Sequence, residues 1–250
     1  MKKHALVLAT LLTTAPLAQA DTVGVGFGTG IWSATPSGTA QLGSNGTNFD
    51  LAKDTGLKSN NNAYVWAYFN HPIPLLPNIM LESTNVTHSG TKNTSIKFGG
   101  TTFNGQTKTE LDLSQVDLVA YWGLPIPMVD INFGVALKQL NGELTLSGGG
   151  NSEPKTTDIN ATIPMGYLGA HFTIPTTDLT LSADSKMISF DGSSLSDTRF
   201  KARYNITNFG LKLGVEAGYR TQSLKIDGLS VDAQTDIKID GLFAGVTLVF

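Results

Sequence analysis

Arg199, Lys201 and Arg203 stand at alternate positions and form the strongest chemical signal in this 250-residue chain. In extended backbone, side chains at i, i+2 and i+4 share one face. The three would therefore make a cationic strip opposite Phe200, Ala202, Tyr204 and Ile206. Lys212, Glu216 and Arg220 follow in the next segment, Asp184 and Lys186 precede the strip, and Asp117, Asp130 and Lys138 add charges further upstream. Two chemistries fit such a set. One is a basic strip that selects or binds anions; the other is a group of acids and bases that pair and fill a narrow interior.

Catalytic patterns are sparse. Apart from His4, the histidines are His71, His88 and His171. His71 and His171 lie at or near short Pro-containing turns, so only His88, beside Ser89, falls towards the longer connections. A His-Ser pair needs an orienting acid that converges with it in space, and none is adjacent. No metal-ligand spacing occurs, so catalytic, cofactor and metal residues are all expected to be absent. Gly24-x-Gly26-x-Gly28 lacks the helix that a dinucleotide site requires. Gly148-Gly149-Gly150 reads as a flexible loop tip.

The ends of the chain set the compartment. Lys2 and Lys3, an apolar run from Ala5 to about Leu12, and Ala18-Gln19-Ala20 before Asp21 form a secretory signal peptide over residues 1–20. Cleavage after Ala20 removes two lysines and no acid, leaving 15 basic against 20 acidic residues over 21–250, a formal charge of −5. That balance gives no electrostatic case for nucleic acid. No later segment approaches the roughly 18 apolar residues of a spanning helix. Cysteine is absent, so stability must come from packing and hydrogen bonds. With 27 Gly and only 15% charged residues, the chain suits many strands with polar turns.

Connections of two kinds alternate along the chain. Short ones at 71–77, 123–127, 174–177 and 207–210 separate longer, more polar ones at 33–61, 90–108, 147–157, 191–196 and 225–235. Between them the alternation predicts ten strands, near 22–32, 62–71, 78–89, 109–122, 129–146, 158–173, 177–190, 196–206, 210–224 and 236–250. Eight to twelve remain compatible with it. In the first strand, Val23, Val25, Phe27 and Ile31 oppose Gly24, Gly26, Gly28 and Gly30. The fifth and ninth show the same apolar and polar faces. Tyr64, Trp66 and Tyr68 share one face of the second, to meet lipid or to fill the space beside the glycines. Phe69, Tyr121, Trp122, Phe172, Tyr204 and Phe209 lie near the short turns, where an interfacial girdle belongs.

The last strand is the most telling. Leu242, Ala244, Val246, Leu248 and Phe250 form an apolar face that ends at the terminal carboxylate, while the same parity upstream meets Asp240, Lys238 and Asp236. Either the apolar band ends near Gly241 or a bulge there changes the face. Signal peptide, alternation, two kinds of turn and terminal Phe together resemble the small outer-membrane β-barrel proteins of Gram-negative bacteria. The turns His71-Pro72-Ile73-Pro74-Leu75-Leu76-Pro77-Asn78 and Gly123-Leu124-Pro125-Ile126-Pro127 resemble those of a largely uncharacterised subgroup.

The resemblance implies a single antiparallel up-and-down barrel over 21–250 in the outer membrane, with both termini on the periplasmic side. It also implies outer-membrane lipids, the barrel-assembly machinery and periplasmic chaperones as partners, with residues 242–250 as the assembly signal and a monomer as the default state. Function is then expected to be non-enzymatic, a narrow pore or a structural and binding barrel with a charged lumen. The alternatives are a surface enzyme hydrolysing lipid or peptide near His88, and a soluble periplasmic β-sandwich.

Overall fold

A computed structural model describes residues 23–42, 46–73, 75–207, 210–226 and 233–250. The expected signal peptide, Phe209 and parts of four connections, at 43–45, 74, 208–209 and 227–232, lie outside the described residues. Strands dominate: β1 (Gly24–Leu42), β2 (Phe49–Asp50), β3 (Asn60–Asn70), β4 (Asn78–Thr84), β5 (Thr87–Phe98), β6 (Thr101–Asp112), β7 (Gln115–Ile126), β8 (Val129–Gly148), β9 (Asn151–Thr173), β10 (Leu179–Phe190), β11 (Ser193–Asn205), β12 (Lys212–Ile226) and β13 (Ala233–Val249).

Ten of them close an antiparallel barrel in the order β1, β3, β4, β7, β8, β9, β10, β11, β12, β13 and back to β1. The seam is the β1–β13 pair, extended when the Phe250 amide donates to the Val25 carbonyl. A closed sheet has no unpaired edge within the ring. The soluble sandwich is thereby set aside, since the strands form one closed sheet rather than two stacked ones.

Near the short turns, apolar side chains point outward. Phe27, Ile31, Val65, Phe133, Val135, Leu168, Phe200, Val215 and Val246 are all exposed, while their neighbours in sequence face in. This outward apolar zone is called the belt below. Beyond it the strands continue into what becomes a head, and the longer connections prove to be extensions of the wall. Residues 90–108, read as a polar connection, form the hairpin β5–β6, which turns at Gly99 and Gly100. Only two-residue breaks, at 85–86 and 113–114, separate β4 from β5 and β6 from β7, and Val86 and Leu113 face inward there. Above the breaks β6 pairs with β8.

The described residues of the connection at 33–61 are likewise ordered. Phe49, Leu51 and Leu57 are buried, and Asp50 accepts the amides of Ala52 and Lys53 to shape the turn. The segment lies along the outer edge of β5, where Thr47 accepts the Lys97 amide and the Asn60 side chain donates to the Thr87 carbonyl. Gly148, Gly149 and Gly150, expected as a flexible tip, hold a tight turn with φ of 83°, 62° and 80°. Glycine adopts this left-handed region without steric cost. The turn docks on β6 through Gly149 N–H to Gln106 O and Asn104 N–H to Gly149 O.

One gap in the head follows from a single residue. The β9–β10 ladder stops at Gly166 opposite Met187, and the next donor needed on that edge belongs to Pro164, which has no N–H. β9 therefore rises with β8 alone.

Candidate functional site

Inside the belt, alternation turns one face of every strand inward, and the glycines of β1 determine what can fit beside them. A Cβ at Gly26 would lie 2.3 Å from the Tyr68 ring, and one at Gly28 2.3 Å from the Trp66 ring. The aromatic face of β3 thus fills the space over the β1 glycines, which decides the side that sequence left open. Trp66 and Tyr68 stack in parallel at 5.9 Å.

The remaining interior is a layer of ions. Lys186 on β10 is fully buried and reaches Glu82 on β4 and Asp117 on β7, the latter at 2.7 Å. Lys138 on β8 contacts Asp117 at 2.9 Å and Asp197 on β11 at 3.1 Å. Arg220 on β12 donates from Nε and Nη2 to the two oxygens of Asp197 at 2.9 and 2.7 Å, and from Nη1 to Thr84 at 2.9 Å. Arg199 on β11 donates to Asp184 at 2.9 and 2.7 Å and also pairs with Glu82. β4 and β11 stand five strands apart in a ring of ten, so the Arg199–Glu82 pair spans the full width of the barrel.

Beside this layer, Glu216 accepts from Tyr64 Oη at 2.9 Å and Trp66 Nε1 at 3.0 Å, with Lys201 at 3.4 Å. Lys201 and Arg220 also sit over the rings of Trp66 and Trp32, at 5.1 and 5.0 Å. Five acids (Glu82, Asp117, Asp184, Asp197, Glu216) face five bases (Lys138, Lys186, Arg199, Lys201, Arg220), so the layer is formally neutral. A residual cavity lined by Trp32, Tyr64, Arg199, Lys201, Glu216, Arg220 and Phe243 measures about 10 Å³. That is no more than the space of one water molecule.

Of the sequence-derived candidates, Asp117, Lys138, Asp184, Lys186, Arg199, Lys201, Glu216 and Arg220 come together in this layer. Arg203 is half-buried below it, and Asp130 and Lys212 are exposed near the short turns. Glu82 and Asp197 were missed, although Asp197 shares the parity of Arg199 and Lys201. Among the described residues no three His, Cys, Asp or Glu side chains converge as metal ligands.

His71, His88 and His171 have local roles. His71 contacts the Pro77 carbonyl at 3.1 Å, and its amide donates to Asn78 Oδ1 at 3.0 Å, closing the first short turn. His171 meets Ser182 at 3.0 Å. His88 is buried in the head, with Nδ1 3.0 Å from the Lys58 carbonyl, and Ser89 points to the opposite face of β5. Of the expected girdle, Phe69 and Tyr204 face out. Trp122 stacks near Phe133 and donates to the Leu75 carbonyl at 3.1 Å. Tyr121 instead faces inward, on the same parity as Asp117, and donates to Asn70 at 2.5 Å.

Leu242, Ala244, Val246 and Phe250 are exposed and Leu248 is half-buried, all on the outer face. Asp240, Lys238 and Asp236 continue that face without a register shift, so no bulge occurs near Gly241.

No protein-family model matches the chain, and no curated protein matches it in sequence. Among solved structures it is similar to the outer membrane protease OmpT from Escherichia coli. The TM-score is 0.50 at 12% identity, covering 93% of this chain and 99% of that one. It also aligns with Ail, the attachment invasion locus protein of Yersinia pestis, with a TM-score of 0.39 at 10% identity, covering 92% and 100%. These likenesses concern the fold. The chain has the closed antiparallel fold of the Gram-negative outer-membrane β-barrels.

Proposed function

We propose that this protein is a non-enzymatic outer-membrane barrel whose lumen is closed by the neutral ion layer and whose extracellular head is its working, binding surface. The observation that carries the reading is the Arg199–Glu82 pair across the barrel, with Lys186 and Lys138 buried beside it. An ion crossing at that level would have to displace charges already paired in a low-dielectric interior. The outward belt supports insertion in lipid, because lipid-facing positions of such barrels must be apolar.

The signal peptide with cleavage near Ala20 supports export, and the exposed row ending in Phe250 serves as the signal read by assembly factors. Periplasmic chaperones deliver the chain, and the barrel functions as a monomer. A hydrolase centred on His88 has no geometric support, since Ser89 faces away and the His88 ring is committed to the Lys58 carbonyl.

Planar-bilayer recording tests the closure. The wild type is expected to give no steady single-channel current, and Glu82→Ser/Lys186→Ser/Arg199→Ser, which deletes three long side chains from the layer, is expected to conduct. Steady conductance of the wild type would overturn the closed reading. Outer-membrane fractionation with the heat-dependent gel mobility of barrels tests the location.

A further inference from the structure

The four short turns divide one rim of the barrel into two unlike halves. The turns of β3–β4 and β7–β8 are adjacent, because β4 pairs with β7, and the Trp122 ring N–H ties them by donating to the Leu75 carbonyl at 3.1 Å. Neither 70–78 nor 121–129 contains a Lys, Arg, Asp or Glu. Ile73, Leu75, Leu76, Leu124, Ile126 and Met128 are all exposed there, Leu75 by 91%. The turns of β9–β10 and β11–β12 form the other half and are polar at their tips. Thr177 closes the first by donating to the Ile174 carbonyl at 2.8 Å, and Thr207 closes the second by donating to the Leu211 carbonyl at 2.9 Å.

Leu75 and Met128 have φ of 73° and 71°. Side chains other than Gly, Asn and Asp rarely occupy this left-handed region, so both turns accept backbone strain to project an apolar side chain. A contiguous exposed apolar surface marks contact with protein or membrane. Two observations favour membrane. First, Val116, Leu118, Ala120, Trp122, Leu124 and Ile126 share the outward parity of β7, so the belt runs into the turn with no polar row between them. A docking patch for protein would be bounded by a polar rim. Second, the turns are depleted of free backbone donors, which lipid cannot satisfy. Of the seven backbone nitrogens at 71–77, three belong to Pro72, Pro74 and Pro77 and carry no hydrogen. Those of His71 and Ile73 donate to Asn78 Oδ1 and His71 Nδ1 at 3.0 and 3.2 Å. Pro125 and Pro127 remove two more donors from the second turn.

We infer that the β3–β4 and β7–β8 turns are immersed in the phospholipid of the periplasmic leaflet, while the β9–β10 turn stays in water. The barrel is thereby held at a tilt, deeper on the side of β3, β4, β7 and β8. This rests on the reading that the belt lies in lipid.

The test exploits the absence of cysteine from the chain. Leu76→Cys, Met128→Cys, Thr177→Cys and Val246→Cys each receive a nitroxide label. The folded barrels are placed in vesicles of phosphatidylethanolamine and phosphatidylglycerol, with a nickel chelate on both sides. Electron paramagnetic resonance then reads collisions with oxygen, which concentrates in lipid, and with the chelate, which stays in water. Labels at 76 and 128 should lose chelate accessibility to the level of the belt label at 246, and the label at 177 should keep it. Heat-dependent gel mobility confirms folding of each variant, and if Met128→Cys fails to fold, Leu76→Cys decides. Chelate access at 76 and 128 equal to that at 177, with 246 protected, would overturn the inference, leave the belt in lipid and give the apolar turns to a protein partner. Protection at 177 as well would overturn the tilt. Chelate access at 246 would overturn the insertion of the belt and this inference together.

Discussion

Val246 and Ile237 lie on one unbroken strand, β13, yet the first is 53% exposed and the second 7%. Below Gly241 the outer face is Leu242, Ala244, Val246 and Phe250; above it the same face is Asp240, Lys238 and Asp236. The inner face changes in the opposite sense. In the belt it carries Lys138, Lys186, Asp197 and Arg220, and in the head Trp32, Ile96, Phe98, Phe103, Leu144, Leu146, Ile237 and Ile239. β8 makes the same exchange, with Val135 out and Lys138 in, then Glu143 out and Leu144 in. Strand parity never changes; only the chemistry on each parity does. The wall is a single sheet written for two solvents, lipid around the belt and water around the head.

The two interiors hold together by different physics. Apolar burial in the head stabilises by roughly 25 cal/mol per Å² and diminishes by degrees as groups are trimmed. The ion layer is all or nothing, because desolvating each charge is offset only while every partner is present. The largest predicted effect follows. Lys186→Met leaves Glu82 and Asp117 short of a buried cation and should cost about 3–5 kcal/mol, measured by urea unfolding in lipid vesicles. The double variant Lys186→Met/Glu82→Gln should recover much of that loss. A single variant as stable as the wild type would mean that the layer is hydrated and graded like a surface.

The outer face gives the next test. Val135→Arg, on the belt side of β8, should cost about 2–4 kcal/mol. Glu143→Arg, on the same strand in the head, should change stability by no more than about 0.5 kcal/mol. Equal costs at the two positions would remove the boundary between belt and head.

The belt was readable from sequence because its apolar face is written with Val, Leu, Ile and Phe at strict period two, as in Val129 to Leu137 and Leu211 to Tyr219. The ion layer was readable where charges repeat on the opposite parity, as at Lys138, Glu216 and Arg220. Glu82 was hidden because its own parity also carries Met80, an apolar residue on the inner face. Asp197 lay inside the expected strand 196–206 but next to its loop end, which the fold extends back to Ser193. The head was read as polar loops because Ser, Thr, Asn and Lys outnumber the few inward residues, Ile96, Phe98, Phe103 and Leu111, that make β5 and β6 amphipathic. The pairs Asp117–Lys138, Asp184–Arg199, Asp197–Arg220 and Glu216–Lys201 join neighbouring strands. Glu82–Arg199, Glu82–Lys186, Asp117–Lys186 and Asp197–Lys138 were not readable, because they cross the barrel between strands that are neighbours in neither sequence nor sheet.

Smaller changes separate head from belt without breaking either. Ile96→Val removes one methylene from the head core and should cost about 0.5–1.5 kcal/mol. Hydrogen exchange should show that loss in β5 and β6, with the belt amides of β12 and β13 unchanged. Loss of protection in both regions together would show that head and belt unfold as one unit.

His88 supplies the mildest probe, since it acts through pH alone. Burial pushes its imidazole below the usual value near 6.5, while the Lys58 carbonyl at 3.0 Å pulls the other way and is outweighed. The folded head therefore favours neutral His88, and the unfolded chain binds the proton more readily. Its stabilisation is complete above about pH 6.5, the unfolded value, and is lost as pH falls from there towards the lowered folded value. Limited proteolysis of the β5–β6 hairpin should accelerate over that range in the wild type. In His88→Phe, which keeps a ring in the core and cannot titrate, the rate should be flat with pH. A wild-type rate that is already flat would mean that His88 titrates equally in the folded and unfolded head, and that water reaches a core which the burial of Ile96, Phe98 and Leu111 describes as dry.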